Sequence, residues 1–421
     1  MSILLPERWL LPLQLHSDRE MRLARGDGAY VWDDEGNKYL DLDTNGGVNV
    51  LGHAHPAMTS AVVDQLSRLG SAHEGFETDA REEFIEAISL IVPEPLTHVS
   101  FANSGSEAVE TALKLARGVT GRPRFIAMTG AFHGTTFGAM AVSGDRRVHE
   151  SLAPMLPEVR RVPYGDIEAL EAAMNQRVAA VILEPVQWAA GVRVATPQYL
   201  ADVAQQCRAN GSLLIFDEVQ SALRTWPALV SAGVGVVPDL LCLGPSIANG
   251  FPLGATAIRE GVAQRTPNGL PGSTVAANPL ACAAGTATLR TIADPSFRAR
   301  VAAAGDYFMR RLSALRMSDI KEVRGRGLMA AVELSGNARP VIQNLRLRGV
   351  LVIPSVPRII RLLPPLTLDR REIDLAVEAL AAAVLDARQA RRRRATETDA
   401  EEITLPGYPT NPHAAGRERE V

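Results

Sequence analysis

Hydrophobic and polar positions along the chain fall into three regimes. Residues 29–43 carry two short β-rich runs, Ala29-Tyr30-Val31-Trp32 and Lys38-Tyr39-Leu40-Asp41-Leu42-Asp43, around the turn-forming Asp33-Asp34-Glu35-Gly36-Asn37, a pattern that predicts a hairpin. From about 53 to 290, continuous apolar runs such as 179–183 and 213–216 alternate with helical stretches. Short apolar strands between helices imply a mostly parallel sheet covered on both faces. Beyond about 300 the pattern predicts a helix over 301–315, a strand near 328–334 and a helix over 372–385, together a small α+β domain. The tail from 389 holds Arg391 to Arg394 and then acidic and Pro-rich residues, so it is expected to be disordered. The arginine run reads as a solvated helix end rather than an electrostatic tether. No internal repeat is visible.

These regimes divide the 421 residues into an N-terminal segment (1–52) packing with the small domain, a large domain (53–298), the small domain (299–388) and a tail (389–421). A net charge of −3 and a pI near 6.3 give no reason to expect nucleic acid or an anionic membrane as partner. The start, MSILLPERWLLPLQL, is apolar but broken by Glu7 and Arg8, with no basic stretch before it. Neither a signal peptide nor a membrane span is expected, and the cytoplasm is the default compartment. Cys207, Cys242 and Cys282 are too far apart to suggest a disulfide framework or a zinc site. Positive charge is almost all arginine: the lysines are Lys38, Lys114 and Lys321.

Several segments carry chemistry. Asn103-Ser104-Gly105-Ser106-Glu107 opens a helix that runs toward Arg117, with Gly118 expected just past its end. Free amides at such an N-terminus, aided by the helix dipole, bind a phosphate; alone, the Ser-Gly-Ser turn could equally be a plain cap. Ala131-Phe132-His133-Gly134 read in isolation is core plus turn. Leu183-Glu184-Pro185-Val186-Gln187 and Phe216-Asp217-Glu218-Val219-Gln220 each follow an apolar strand, and ligands in open α/β sheets sit at the carboxyl ends of strands. An aspartate there could also simply cap a helix. Gly272-Ser273-Thr274, Asn278-Pro279-Leu280 and Ile359-Ile360-Arg361-Leu362 complete the set.

In this order and spacing the segments resemble the class III aminotransferases, pyridoxal 5'-phosphate (PLP) enzymes of fold type I. The resemblance spans about 22–385 and has the character of the acetylornithine-aminotransferase branch, which handles ω-amines of carboxylate-bearing substrates. It implies an α/β fold with a mostly parallel central sheet in the large domain. It assigns Gly105 and Ser106 to the cofactor phosphate and Phe132 to the pyridine face. Asp217 falls to the ring nitrogen, where a carboxylate keeps that nitrogen protonated, and Gln220 to the ring hydroxyl. Glu184 and Gln187 would line the site on its cofactor and substrate sides. Thr274 would reach the phosphate of a neighbouring subunit, which implies a homodimer, or a heterodimer with an active homologue. Arg361 would grip the substrate carboxylate, as its forked guanidinium suits.

The segment from Pro238 to Ala255 resembles the family's cofactor-lysine loop, P-D-x-x-x-L-x-K-x-x-x-x-G-x-P-L-G-A, with Pro245 at the lysine position. Proline has no amine, so no Schiff base can form there. Other departures cluster in loops the resemblance places at the site's edge. The family's Gly-Glu-Gly-Gly after Glu-Pro-Val-Gln is Trp188-Ala189-Ala190-Gly191, its T-G-x-G-R-T-G is Ser221-Ala222-Leu223-Arg224-Thr225-Trp226-Pro227, and its Phe-Gly-Gly is Val275-Ala276-Ala277. Pro271 stands where histidine is common. Clustered change points to natural repurposing. The lysine also shuttles a proton, a task worth about 10²–10⁴-fold. The expectation is therefore an enzyme that binds PLP, pyridoxamine 5'-phosphate or a preformed PLP adduct without a covalent link, acts on a carboxylate-bearing amino compound, and has His133 as candidate base. The alternatives are a catalytically inactive binding or regulatory subunit, and a cofactor-independent enzyme in the same pocket. No metal is expected.

Overall fold

A computed structural model describes residues 21–144, 158–225, 228–354 and 357–403. The opening apolar stretch, Trp226, Pro227 and the last 18 residues, with their expected features, lie outside the described residues.

The chain begins with three strands, β1 (Leu23–Asp27), β2 (Tyr30–Asp33) and β3 (Lys38–Asp41). The expected hairpin is β2–β3, and Asp33 closes its turn by accepting hydrogen bonds from the amides of Glu35 and Asn37. The large sheet comprises β4 (Leu96–Ala102), β5 (Arg124–Met128), β6 (Glu158–Val162), β7 (Val178–Leu183), β10 (Leu213–Asp217), β11 (Leu240–Leu243) and β12 (Gly254–Arg259). A small ribbon of β8 (Val186–Gln187) and β9 (Arg193–Val194) follows β7. The strand order is β4-β12-β11-β10-β7-β5-β6; the pairs from β11 to β6 are parallel and only β12 runs against its neighbours.

Alternation along these strands fills both sides of the sheet, because successive side chains point to opposite faces. Phe125, Ala127, Ala180, Ile182, Ile215 and Cys242 meet the helix Gly105–Thr120, while Ile126, Met128, Val181, Leu183, Leu214 and Phe216 belong to the main core on the other side. Gly118 lies inside that helix rather than after it; Gly121, at φ 67°, is the left-handed cap. Gly118 is small for a packing reason, since a Cβ there would lie 2.5 Å from Leu270 Cδ1.

The C-terminal part adds the helix Pro295–Ser313, an antiparallel sheet of β13 (Ile320–Arg326), β14 (Met329–Leu334), β16 (Ile353–Pro354) and β17 (Ile359–Leu362), and the short β15 (Val350–Leu351). β15 pairs in parallel with β3, so the N-terminal strands share a sheet with this part of the chain. The last helix does not stop at 385 or give way to an irregular tail at 389: it runs Arg370–Ile403, straight through the arginine run. Ala, Arg, Gln and Glu, all strong helix formers, carry it on, and Arg391 ties it back by an ion pair with Asp319. No described helix is long and apolar enough to cross a membrane, and no described cluster of His, Cys, Asp or Glu could hold a metal.

Candidate active site

The carboxyl ends of β5, β7, β10 and β11 converge on one pocket, as expected of ligand sites in open α/β sheets. Asp217 ends β10 and is buried. Its Oδ2 accepts from His133 Nδ1 at 2.7 Å and its Oδ1 from the Val219 amide at 3.0 Å. A carboxylate held on both oxygens cannot rotate away from the pocket. The His133 ring is fully buried and its Nε2 has no partner among the described residues.

Beside His133, the Phe132 ring is 42% exposed although its backbone is fixed. The Phe132 amide donates to Glu184 Oε1 at 3.0 Å and the Trp188 amide to Glu184 Oε2 at 3.1 Å. Burial, with Asp217 nearby, raises the Glu184 carboxyl well above its ordinary pKa. An exposed aromatic side chain on a backbone fixed by a buried carboxyl group suits a planar ring ligand.

The segment expected to hold a phosphate is the first turn of the helix Gly105–Thr120. Ser104 caps it, its hydroxyl accepting from the Glu107 amide. The Gly105 and Ser106 amides have no hydrogen bond to any described residue, as first-turn amides require an outside acceptor. Ser106 Oγ accepts from the Thr135 amide at 3.1 Å, which brings the turn after His133 against the helix. Gly134, at φ 129°, must be glycine here, since a Cβ would run into Ser106. A Cβ at Gly105 would sit 2.6 Å from Val219 Cγ1, and one at Gly244 2.5 Å from the same atom. Val219 thus joins the phosphate turn, Asp217 and the residue before Pro245.

Pro245, half-buried, begins the short 3-10 turn Pro245–Ala248 directly after β11. All lysines are elsewhere: Lys38 lies 3.7 Å from the Tyr30 ring centroid, Lys321 pairs with Glu333, and Lys114 is exposed on the phosphate helix. Gln220 Nε2 donates to Gly46 O, leaving Oε1 as its unpartnered atom. Gln187 is fully buried, its Nε2 donating to Thr129 O and its Oε1 unpartnered and near Gly130. Thr274 is exposed, while its neighbour Ser273 accepts from Asn103 Nδ2 at 3.0 Å beside the phosphate turn.

Arg361, on β17, is buried with its guanidinium 4.0 Å from the Trp188 ring centroid. Desolvation lowers its pKa to about 10, against the raising fields of Asp43 and Glu184. Asp43 introduces a run of left-handed residues, Thr44 (φ 48°), Asn45 (57°), Gly46 (68°) and Gly47 (92°). A β-branched residue in that region is strained. Fully buried Arg224 holds it, donating to Gly47 O, Thr44 Oγ1 and Pro364 O. Asp43 and Val219 are members of the site to which the sequence assigns no role, and Trp188 and Arg224, seen there only as departures in loops at the site's edge, join them; the turn residues Asn45-Gly46-Gly47 are the one local signal for Asp43.

Residues 15–384 match the model of aminotransferase class-III. The chain belongs to the class III aminotransferase family. It is 41% identical to the acetylornithine aminotransferase of Methanopyrus kandleri over 88% of this chain and 96% of that protein. It is 36% identical to a LysW-aminoadipate semialdehyde transaminase of Deinococcus radiodurans, over 89% of each. Among solved structures, the ornithine aminotransferase of Toxoplasma gondii superimposes with a TM-score of 0.82 at 31% identity, covering 88% of this chain and 92% of that one. The family is one that uses PLP, and the residues present are compatible with it: first-turn amides without a described partner, orphaned buried polar atoms on His133 and Gln220, and the exposed Phe132.

Proposed function

We propose that this class III aminotransferase relative binds PLP or pyridoxamine 5'-phosphate non-covalently and acts on a carboxylate-bearing amino compound, without lysine-based transamination. The observation that carries the reading is a combination. Asp217 is held by His133 and Val219, next in sequence to His133 stands the exposed Phe132, Pro245 comes two residues after the end of β11, and the three lysines have their contacts elsewhere. A mere scaffold has no use for a buried, doubly held carboxylate at that point.

The proposal gives each residue the role that the family resemblance implies. The Gly105 and Ser106 amides bind the phosphate at the helix N-terminus. Phe132 covers one ring face. Asp217 keeps a proton on the ring nitrogen, and His133, donating from Nδ1, keeps Asp217 in place. Gln220 Oε1 is free to accept from the ring hydroxyl. Arg361 binds the substrate carboxylate. When bound, PLP supplies an aldehyde that takes up amines and a ring that withdraws electrons. With no lysine to move protons, His133 Nε2 is the candidate base in the pocket.

The proposal includes a homodimer in which Thr274 serves the neighbouring subunit's phosphate. The exposed Val63, Leu66, Phe76 and Val275 support a buried apolar contact between copies. Three free, buried cysteines accord with a cytoplasmic protein. Calorimetric titration of the purified chain with PLP and with pyridoxamine 5'-phosphate tests the reading. Saturable one-to-one binding of either supports it, and no binding of both overturns it.

A further inference from the structure

Arg361 is not alone on its side of the pocket. Its guanidinium lies 4.0 Å from the Trp188 ring centroid, and Trp188 stands edge-on to Phe132, with centroids 6.0 Å apart and planes at 87°. Cation, indole and phenyl form one ladder from the substrate side to the cofactor side.

The indole is anchored from two directions. Glu184 accepts from the amides of both aromatic residues, which fixes their backbones to one buried carboxylate. After Trp188 the chain turns back sharply: Trp188 O accepts from the Gly191 and Val192 amides, and Gly191 O accepts from Arg324 Nε. Gly191 has φ 89°, and a Cβ there would lie 2.6 Å from Ile359 Cδ1. The Trp188 loop is therefore packed against β17, the strand that carries Arg361.

Where the family pattern has Gly-Glu-Gly-Gly, this chain has Trp188-Ala189-Ala190-Gly191. A glutamate in such a loop could hold a guanidinium only through its N–H donors, and an incoming carboxylate would have to displace it. A π face acts differently. It attracts the guanidinium through the plane of the group and uses none of its N–H donors. It also excludes water from that face, which strengthens a charged contact made along the edge. Asp43 supplies a negative field without coming from this loop.

We infer that Trp188 is the specificity-determining residue of the Arg361 site, holding the guanidinium by one face so that the pocket favours compounds bearing a carboxylate over amides or amines of the same shape. The inference rests on Arg361 being the substrate-carboxylate residue of the proposed function. Trp188 is a positioning residue, acting through Arg361.

The test uses two stable probes of matched shape, the reduced phosphopyridoxyl adducts of alanine and of alaninamide, titrated calorimetrically into the full chain. The wild type should bind the alanine adduct about 10- to 150-fold more tightly, the span of a hydrogen bond to a charged group. Trp188→Leu should cut that ratio by about 2- to 30-fold, the span of a cation–π contact. Trp188→Phe, which keeps a π face, should retain most of it. A ratio unchanged in Trp188→Leu, or equal weakening of both adducts, overturns the inference while leaving the proposed function standing. Failure of the wild type to bind either adduct overturns both.

Discussion

His133 Nδ1 donates to Asp217 Oδ2 across 2.7 Å, between two buried side chains that lie 84 positions apart in the chain. The contact joins the turn after β5 to the end of β10 and sets the orientation of the carboxylate before any ligand arrives. A preorganised charge of this kind is worth most where water is excluded.

Replacing Asp217 by Asn should therefore weaken PLP binding by about 1.5–3 kcal/mol, the value of a lost charge-assisted hydrogen bond. The fold should survive, because the residues are nearly isosteric. Calorimetry on wild type and Asp217→Asn, with thermal unfolding as control, checks this; equal affinities would remove Asp217 from its assigned role.

Gly134 offers a separate handle on the phosphate end. With φ 129° and Ser106 directly in the path of a Cβ, Gly134→Ala must push the turn off the helix N-terminus. Binding of PLP should fall by at least about tenfold, while pyridoxal, which lacks the phosphate, should be much less affected. The principle is that first-turn amides serve an anion only at short range. Equal losses for the two ligands would mean that the turn does not form the phosphate site.

Glu184 makes a prediction about pH. Its carboxyl is raised well above the usual range by burial first and by Asp217 second. The folded protein thus holds this proton more tightly than the unfolded chain. Stability linked to Glu184 is fully present below the ordinary carboxylate pKa of about 4.3 and is lost as pH rises toward the folded value. Against wild type, Glu184→Gln should show a smaller loss of thermal stability between pH 5 and 8. Parallel curves for the two proteins over that range would show that Glu184 is not the group responsible.

Much of this was readable from the chain, for reasons that differ by residue. Gly105, Ser106, Asp217 and Arg361 sit in or beside strands or helix ends, where a short continuous apolar run or a Ser-Gly turn fixes position locally. The helix end was misplaced by three residues because Gly118 is there to admit Leu270, a contact 152 positions away, and not to end a helix. The segment from 389 reads as a disordered tail because charge density suggests solvation, whereas flanking alanines and the Arg391–Asp319 ion pair accompany a helix that carries the arginine run, in keeping with its reading as helical. The sequence places the loops of Trp188 and Arg224 at the site's edge, but what these two residues do there, like the parts of Asp43 and Val219, is not legible, because each acts through a contact between distant segments. Arg224 is the clearest case, a fully buried cation whose partners are the backbone at 47 and 364 and the hydroxyl of Thr44.

The central claim is that this pocket holds its cofactor with no covalent lysine link. The most direct measurement is mass spectrometry of the chain after incubation with PLP and treatment with borohydride, under native and then denaturing conditions. The account predicts a native mass that includes the non-covalent ligand, as PLP before borohydride and as its reduced alcohol after it, and a denatured mass equal to the bare chain. A reduced pyridoxyl group on Lys38, Lys114 or Lys321 would contradict it.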